Sequence, residues 1–338
     1  MVETRSMKKK RKSKNYSNLP FDLTLLIMQQ LSFKDNIRAS VVCKTWNEAC
    51  VSVRVKDPTP WLMVFPKDEE ACQLYELFDP SLEKTHTCKS PLELRGSHVE
   101  HCRDGWLLIS DKDLTKTLFF NPFTQERIDL PWPDMCPTHP LAFSCAPTSN
   151  SCVIFSVYEI KKGSIIIKLY NLATKVCTPL TLPHRLPLRG GFEHVVFSNG
   201  VFYCLNDVGW LGMFSISTNS WSVLPRLRTP KCDYTSPCRF MTEYQGDILL
   251  IYTNKDEDFK VTRYLKLDLA NRKWKDDRTL KGLSFFLSFK STLTTNGDLV
   301  ETKRTDQFVV VYGKQPSGNN IDKKMSQGMT TVSCYFKT

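Results

Sequence analysis

The chain has 338 residues, 41% of them hydrophobic and 24% charged, which supports a packed core and argues against a globally disordered chain. No apolar stretch approaches the roughly 18 residues a membrane-spanning helix needs, and no apolar segment follows the first basic residues, so neither a membrane span nor a secretory signal is expected. Of the net charge of +11, residues 1–14 hold +6; the body is nearly balanced, which argues against a nucleic-acid-binding surface.

Thirteen cysteines at irregular spacing, with no C-x-x-C pair, read as reduced thiols acting as small hydrophobes in a cytosolic or nuclear protein. Residues 1–16 read as a disordered basic tail. Lys8, Lys9, Lys10, Arg11 and Lys12 form an unbroken cationic run whose members repel one another and have no apolar partners. Such a run fits an acidic receptor groove, as a nuclear-localisation signal does. The expected location is therefore the nucleus, with the cytoplasm also open. A solvated tail carrying no address is the alternative.

The pattern turns helical over residues 17–60. Leu23, Leu26, Ile27 and Leu31 stand at helical spacing on one stripe, and Pro20 suits a first turn. Ser32 and Asp35 resemble a capping box. A second helix is expected through Ile37, Ala39, Val41 and Val42, and a third through Trp46 and Ala49, with Asp57-Pro58-Thr59-Pro60 ending the region. About forty residues form a thin core, so such a module is expected to complete its burial against a partner. A helical cap on the next domain is the alternative.

The run Leu19-Pro20-Phe21-Asp22-Leu23-Thr24-Leu25-Leu26-Ile27-Met28-Gln29-Gln30-Leu31, then Ser32-Phe33-Lys34-Asp35, then Val42-Cys43-Lys44-Thr45-Trp46, resembles an F-box. The resemblance implies docking on a Skp-type adaptor. Leu19, Pro20, Leu23, Ile27 and Leu31 would supply apolar contact or internal packing, and Val42, Cys43, Lys44 and Trp46 the rest of the docking surface. Asn36 stands where many relatives have an apolar residue.

From 61 to 338 helical periodicity fades, and short β-branched and aromatic segments are expected as strands. They include 61–65, 106–109, 153–157, 195–197, 201–205, 248–252 and 309–312. Ser198-Asn199-Gly200 marks a hairpin turn. Five hairpins share one plan, an apolar pair and a small polar residue before the turn. The polar markers are Asp79, Asn121, Asn171, Ser215 and Asp268, separated by 42, 50, 44 and 53 residues. Leu130-Pro131, Leu182-Pro183 and Leu224-Pro225 close three of these units, and Trp221 and Trp274 each follow a marker by six residues. The period fits four-stranded propeller blades, with a solenoid or stacked sandwich also open.

Residues 60–66, Asp104-Gly105-Trp106-Leu107 and Phe120-Asn121-Pro122-Phe123-Thr124 give this region a resemblance to the kelch-like β-propeller of plant F-box proteins. The expected fold is thus a small all-α F-box module followed by an all-β domain, a propeller with kelch-like repeats. Residues 314–331 are polar and irregular, which leaves the last blade and the closure of the ring open.

Chemistry-bearing constellations are few. His98, His101 and Cys102 could offer three ligands to zinc, but no fourth is evident, and the segment reads as a loop leading into the Trp106 strand. No phosphate loop, nucleophile elbow or H-E-x-x-H occurs. Asp256-Glu257-Asp258 reads as a solvated tip, and Trp221 and Trp274 as packing. No catalytic residue, cofactor or metal is expected.

The resemblance implies the substrate-recognition subunit of a Skp–cullin–F-box ubiquitin ligase: the F-box binds the adaptor and, through it, a cullin, while the β domain binds a target protein. The alternative is a propeller-type scaffold acting outside a ligase. The irregular inserts 184–191 and 228–237 are the first candidates for target contact.

Overall fold

The computed structural model describes residues 19–31, 33–54, 61–64, 74–79, 84–90, 97–111, 113–131, 139–161, 163–184, 191–224, 237–254, 260–276, 283–288, 292–296, 303–305, 308–311 and 334–336. The chain divides into two compact units, residues 1–57 and 58–338. The basic run, Ser32 of the capping box, residues 57–60, most of the inserts 184–191 and 228–237, residues 256–258 and the irregular stretch 314–331 lie outside the described residues.

In the first unit, α1 (Phe21–Gln29) starts directly after Pro20, whose carbonyl accepts from both the backbone N–H and the hydroxyl of Thr24, at 3.0 and 3.1 Å. Proline costs nothing there, because the first helical N–H groups lack partners anyway. α2 (Phe33–Ser40) stops at Ser40, whose hydroxyl donates to the Ile37 carbonyl at 2.6 Å. Val41 and Val42 therefore lie beyond the second helix, not within it as their apolar character suggested. α3 (Lys44–Arg54) is tied back by Asn47 Nδ2, which donates to the Ser40 carbonyl at 3.2 Å. Met28, Ala39, Ala49 and Cys50 form the buried centre, with Leu25, Leu31, Trp46 and Val53 packed against it.

Among its described residues the second unit contains six four-stranded sheets. The first holds β1 (Trp61–Val64), β2 (Leu74–Asp79) and β3 (Lys84–Lys89). The second is β4 (His98–Arg103), β5 (Trp106–Ser110), β6 (Thr117–Phe120) and β7 (Arg127–Asp129). The third is β8 (Leu141–Phe143), β9 (Val153–Lys161), β10 (Ser164–Asn171) and β11 (Val176–Pro183). The fourth is β12 (Phe192–Ser198), β13 (Val201–Asn206), β14 (Leu211–Ser215) and β15 (Ser220–Leu224). The fifth is β16 (Pro237–Tyr244), β17 (Asp247–Asn254), β18 (Lys260–Asp268) and β19 (Lys273–Asp276). The sixth holds β20 (Leu283–Ser288), β21 (Thr292–Asn296), β22 (Lys303–Thr305) and β23 (Phe308–Val311), in the order β21-β20-β23-β22. Finally β24 (Cys334–Phe336) returns to the first sheet and pairs antiparallel with β1, Trp61 opposite Phe336 and Met63 opposite Cys334.

The strands β4, β8, β12, β16, β21 and β24 contact one another in that order, and β24 contacts β4. That closed circuit makes a six-bladed propeller, with the chain end supplying the innermost strand of the first blade. Closure by the terminal strand removes the exposed edge that an open sheet array would present.

Core packing runs between consecutive sheets, and the strand period of two explains how. In β9, Ile154 faces the second sheet's Trp106 and Phe119, while Phe155 and Val157 face the fourth sheet's Phe202. The Phe155 and Phe202 rings stack at 4.3 Å. In β13, Phe202 and Cys204 join that layer, while Tyr203 and Leu205 pack toward the fifth sheet. Strands buried on both faces read as continuous apolar runs, which is why β5, β13 and β17 stand out in the sequence.

Every polar marker ends or directly follows the third-introduced strand of its sheet, or β2 in the first. Asn121 Oδ1 accepts from the N–H groups of Phe123 and Thr124 at 2.9 and 3.1 Å, and Asn171 Oδ1 from Ala173 and Thr174 at 3.0 Å each. Asp268 Oδ1 accepts from Asn271 at 3.0 Å. Four residues after the marker, Gln125, Lys175, Asn219 and Arg272 take positive φ. Two of these side chains reach the preceding sheet: Gln125 Nε2 donates to the Lys89 carbonyl at 2.9 Å, and Arg272 Nη2 to the Val223 carbonyl at 3.2 Å. Asn199 and Gly200 turn with φ of 49° and 78°, the mirror-image geometry that matches strand twist.

Candidate functional site

The helical unit presents an apolar outer surface. The sequence stripe of Leu23, Leu26, Ile27 and Leu31 was expected on one face; the structure divides it. Leu31 packs inward with Leu25 and Met28, whereas Leu23, Leu26 and Ile27 are exposed, Leu26 at 57%. α1 is apolar nearly all round, so its pattern alone does not say which side faces the core. Thr24 and Met28, both fully buried, mark the inward side.

The other expected contact residues divide in the same way. Pro20 and Lys44 are exposed, and Leu19 and Cys43 half-buried. Val42 is exposed at 57%, on the connection between α2 and α3. Trp46 packs against the core of the unit, and its Nε1 is buried without a hydrogen-bond partner among the described residues. Asn36 is buried. Phe21, Leu26, Val41 and Val51 were missed as surface residues; Val41 is the most open, at 83%. A β-branched residue next to the α2 stop signal at Ser40 was the available clue.

Large apolar side chains exposed at this density on a unit this small match a protein-binding surface rather than a finished one. Burying what each still exposes would contribute about 1 kcal/mol to a complex. The chemistry these exposed apolar side chains offer is docking.

The β unit carries no comparable apolar face in its described residues. His98 and His101 lie in the innermost strand β4, not in a loop, and a bulge at Glu100 interrupts its register. His98 is exposed, while His101 is buried edge-on to Phe143 with ring centroids 4.9 Å apart. Burial, then the nearby Arg103 charge, pushes the His101 imidazole down to about 3. Among the described residues no three His, Cys, Asp or Glu side chains are grouped to hold a metal ion. On the fifth sheet, Lys266 of β18 pairs with Asp247 of β17 at 2.6 Å, and Lys275 of β19 with Asp268. Hydrogen bonds from Lys275 and Asn271 hold the Asp268 carboxyl well below the usual range.

At the sheet tips near the inner strands, cross-sheet bonds take up backbone carbonyls. Arg103 Nη1 donates to the Phe197 carbonyl at 2.7 Å and lies over the Phe197 ring. Ser198 Oγ donates to the Gly246 carbonyl at 3.1 Å. Trp221, expected as packing, belongs to the core between the third and fourth sheets, and Trp274 packs on that between the fourth and fifth.

Comparison with known families matches residues 16–57 to the F-box domain and residues 74–308 to the KIB1-4 beta-propeller. An F-box protein of Arabidopsis thaliana is 44% identical over 284 residues, 84% of this chain and 75% of its own. An F-box/kelch-repeat protein of the same plant is 40% identical over 82% of this chain and 78% of its own. A further Arabidopsis thaliana F-box protein is 37% identical, and there the match spans 58% of the relative's length. Among solved structures, a Bacteroides thetaiotaomicron protein of unknown function aligns over 56% of this chain and 45% of its own, at 11% identity and a TM-score of 0.35.

Proposed function

The chain belongs to the F-box proteins that carry a KIB1-4 beta-propeller, an adaptor-type architecture, and we propose that it serves as the substrate-recognition subunit of a Skp–cullin–F-box ubiquitin ligase. The observation that carries this reading is the exposed apolar surface of Leu23, Leu26, Ile27, Val41 and Val42 on the helical unit. The F-box docks through it on a Skp-type adaptor, which in turn joins a cullin. The β-propeller holds the target protein.

The contribution to catalysis is proximity. Holding a target lysine near a charged conjugating enzyme turns an encounter between separate molecules into one within a complex and raises the effective concentration. The propeller suits that task because stapled hairpins on a closed ring fix the position of whatever their loops bind. The basic run Lys8–Lys12 directs the complex to the nucleus.

Affinity capture followed by mass spectrometry, with the full chain and with a chain lacking residues 17–60, tests the reading. The full chain is expected to bring down adaptor, cullin and targets, and the shortened chain targets alone. Recovery of adaptor without cullin would replace the ligase reading with that of a scaffold acting outside it.

A further inference from the structure

Two cysteines of the third sheet face each other across a hairpin. β8 and β9 pair with Phe143 opposite Ile154. The ladder continues one step further: the Ser144 N–H donates to the Val153 carbonyl at 3.0 Å, and the Val153 N–H returns to the Ser144 hydroxyl at 3.0 Å. Cys145 and Cys152 are the next opposed pair. In a regular antiparallel pair such a position carries no ladder hydrogen bonds and brings opposed Cα atoms to about 4.5 Å. A disulfide spans Cα separations of roughly 4.4–6.8 Å.

Both side chains point to the same face. Cys152 is fully buried in the layer with Phe143 and Ile154, and Cys145 is half-buried against that layer. The Cys152 thiol donates to the Cys145 carbonyl at 3.1 Å, which places its sulfur against the Cys145 backbone, while the Cys145 sulfur lies 3.6 Å from the Ser151 hydroxyl. The six residues between them are held by their own bonds: Ser149 N–H to the Ala146 carbonyl at 2.9 Å, and Cys152 N–H to the Ser149 carbonyl at 3.1 Å. Neither cysteine is in a disulfide.

We propose that Cys145 and Cys152 are a modification site, a dithiol that exchanges with a low-molecular-weight disulfide such as oxidised glutathione to form an intramolecular bond closing the β8–β9 connection. Cys145, the more accessible, attacks one sulfur of the small disulfide as its thiolate. A mixed disulfide forms and one small thiol leaves. Cys152 then loses its proton and attacks the Cys145 sulfur, expelling the second small thiol. Two protein thiols are oxidised by two electrons and one small disulfide is reduced to two thiols, so the exchange balances. Burial, then the neighbouring Cys145, holds the Cys152 thiol up at about 12. The closing step therefore draws on a small thiolate fraction and is slow, and the bond forms under sustained oxidation rather than a brief pulse.

The test is chymotryptic mapping of the full chain after incubation with oxidised glutathione and alkylation of remaining thiols. Cleavage after Phe143 and Phe155 gives a peptide holding these two cysteines and no other. The expected peptide is unalkylated, free of glutathione and two hydrogens lighter than the dithiol. In Cys152→Ala, nothing displaces the small thiol, and Cys145 should remain as the glutathione mixed disulfide. Cys145→Ser changes only the part-exposed position and keeps the test open if the buried replacement misfolds; there Cys152 should be alkylated once the chain is unfolded. The oxidised wild type should melt roughly 5 °C higher than the reduced protein, a gain that Cys145→Ser lacks. A wild-type peptide alkylated at both cysteines, a mixed disulfide that persists on Cys145, or an unchanged melting temperature with the bond formed would each overturn the proposal.

Discussion

Gly212 sits in β14, and the indole of Trp221 on β15 lies over it. A methyl group at Gly212 would overlap Cζ2 and Cη2 of that indole. The ring has little room to move. Its Nε1 donates to His184 Nδ1 at 3.0 Å, its face meets the Phe192 ring at 86° with centroids 5.9 Å apart, and His184 is itself held by its N–H on the Gly163 carbonyl at 2.7 Å. A glycine inside a strand marks such a close approach. Gly212→Ala therefore either strains the strand or displaces Trp221. Overpacking of this kind costs roughly 1–3 kcal/mol, and loss of the bond to His184 adds roughly 1 kcal/mol. A total of about 3 kcal/mol lowers the melting temperature of the β-propeller by roughly 6–12 °C. Trp221→Leu removes the obstruction, so the double variant should be no less stable than Trp221→Leu alone, a coupling of at least about 1 kcal/mol. Wild-type stability in Gly212→Ala, or strictly additive costs in urea unfolding, would mean that the indole does not obstruct a side chain at Gly212.

Three other outcomes follow from the same geometry. Asn171→Ala leaves the N–H groups of Ala173 and Thr174 without their acceptor and should destabilise the propeller by roughly 1–2 kcal/mol in chemical unfolding, with adaptor binding unchanged. His101 titrates near 6.5 when unfolded and about 3 when folded. The unfolded chain thus binds the extra proton, and the contribution of His101 is complete above pH 6.5 and is lost as pH falls toward 3, by roughly 1 kcal/mol per pH unit; His101→Gln should flatten that acid limb, whereas parallel curves would contradict it. Replacing Lys8, Lys9, Lys10, Arg11 and Lys12 together by alanine should shift a fluorescently tagged chain from nucleus to cytoplasm, and an unchanged distribution would reduce the run to a solvated tail.

Much of this architecture was readable from the residues. The five markers were visible because one physical device recurs: a short polar side chain caps the turn after an apolar pair, as Asn121 and Asn171 do for their backbone N–H groups. The strands of the sixth sheet join in an exchanged order, and the repeat pattern read from the sequence stops at Asp268. Ring closure was hidden for a different reason. The pairing of Cys334–Phe336 with β1 joins the two ends of the β region, and a contact so distant in sequence leaves no local pattern. In the helical unit, the F-box residues were identified but not their directions. Leu31 and Trp46 point to the core while Leu26 and Val41 point out, because an apolar helix on a thin core has no polar face to orient it. The β4 strand reads as a loop in the sequence because His98, Glu100, His101 and Arg103 are polar, yet the innermost strand accommodates them in the propeller, Glu100 and His101 buried.

In the proposed ligase, the exposed apolar surface of the helical unit binds the Skp-type adaptor that brings the cullin. Titration calorimetry of the full chain against purified adaptor measures this directly, with Leu23→Asp/Val42→Asp as the perturbation. Both residues are exposed in this structure and neither belongs to the buried centre of the unit, so the variant should keep wild-type helicity. Truncating two hot-spot anchors at an interface costs on the order of 2 kcal/mol each, so adaptor affinity should fall roughly a thousandfold and cullin should be lost from the assembled complex. Wild-type affinity in that variant, with its helices intact, would contradict the account.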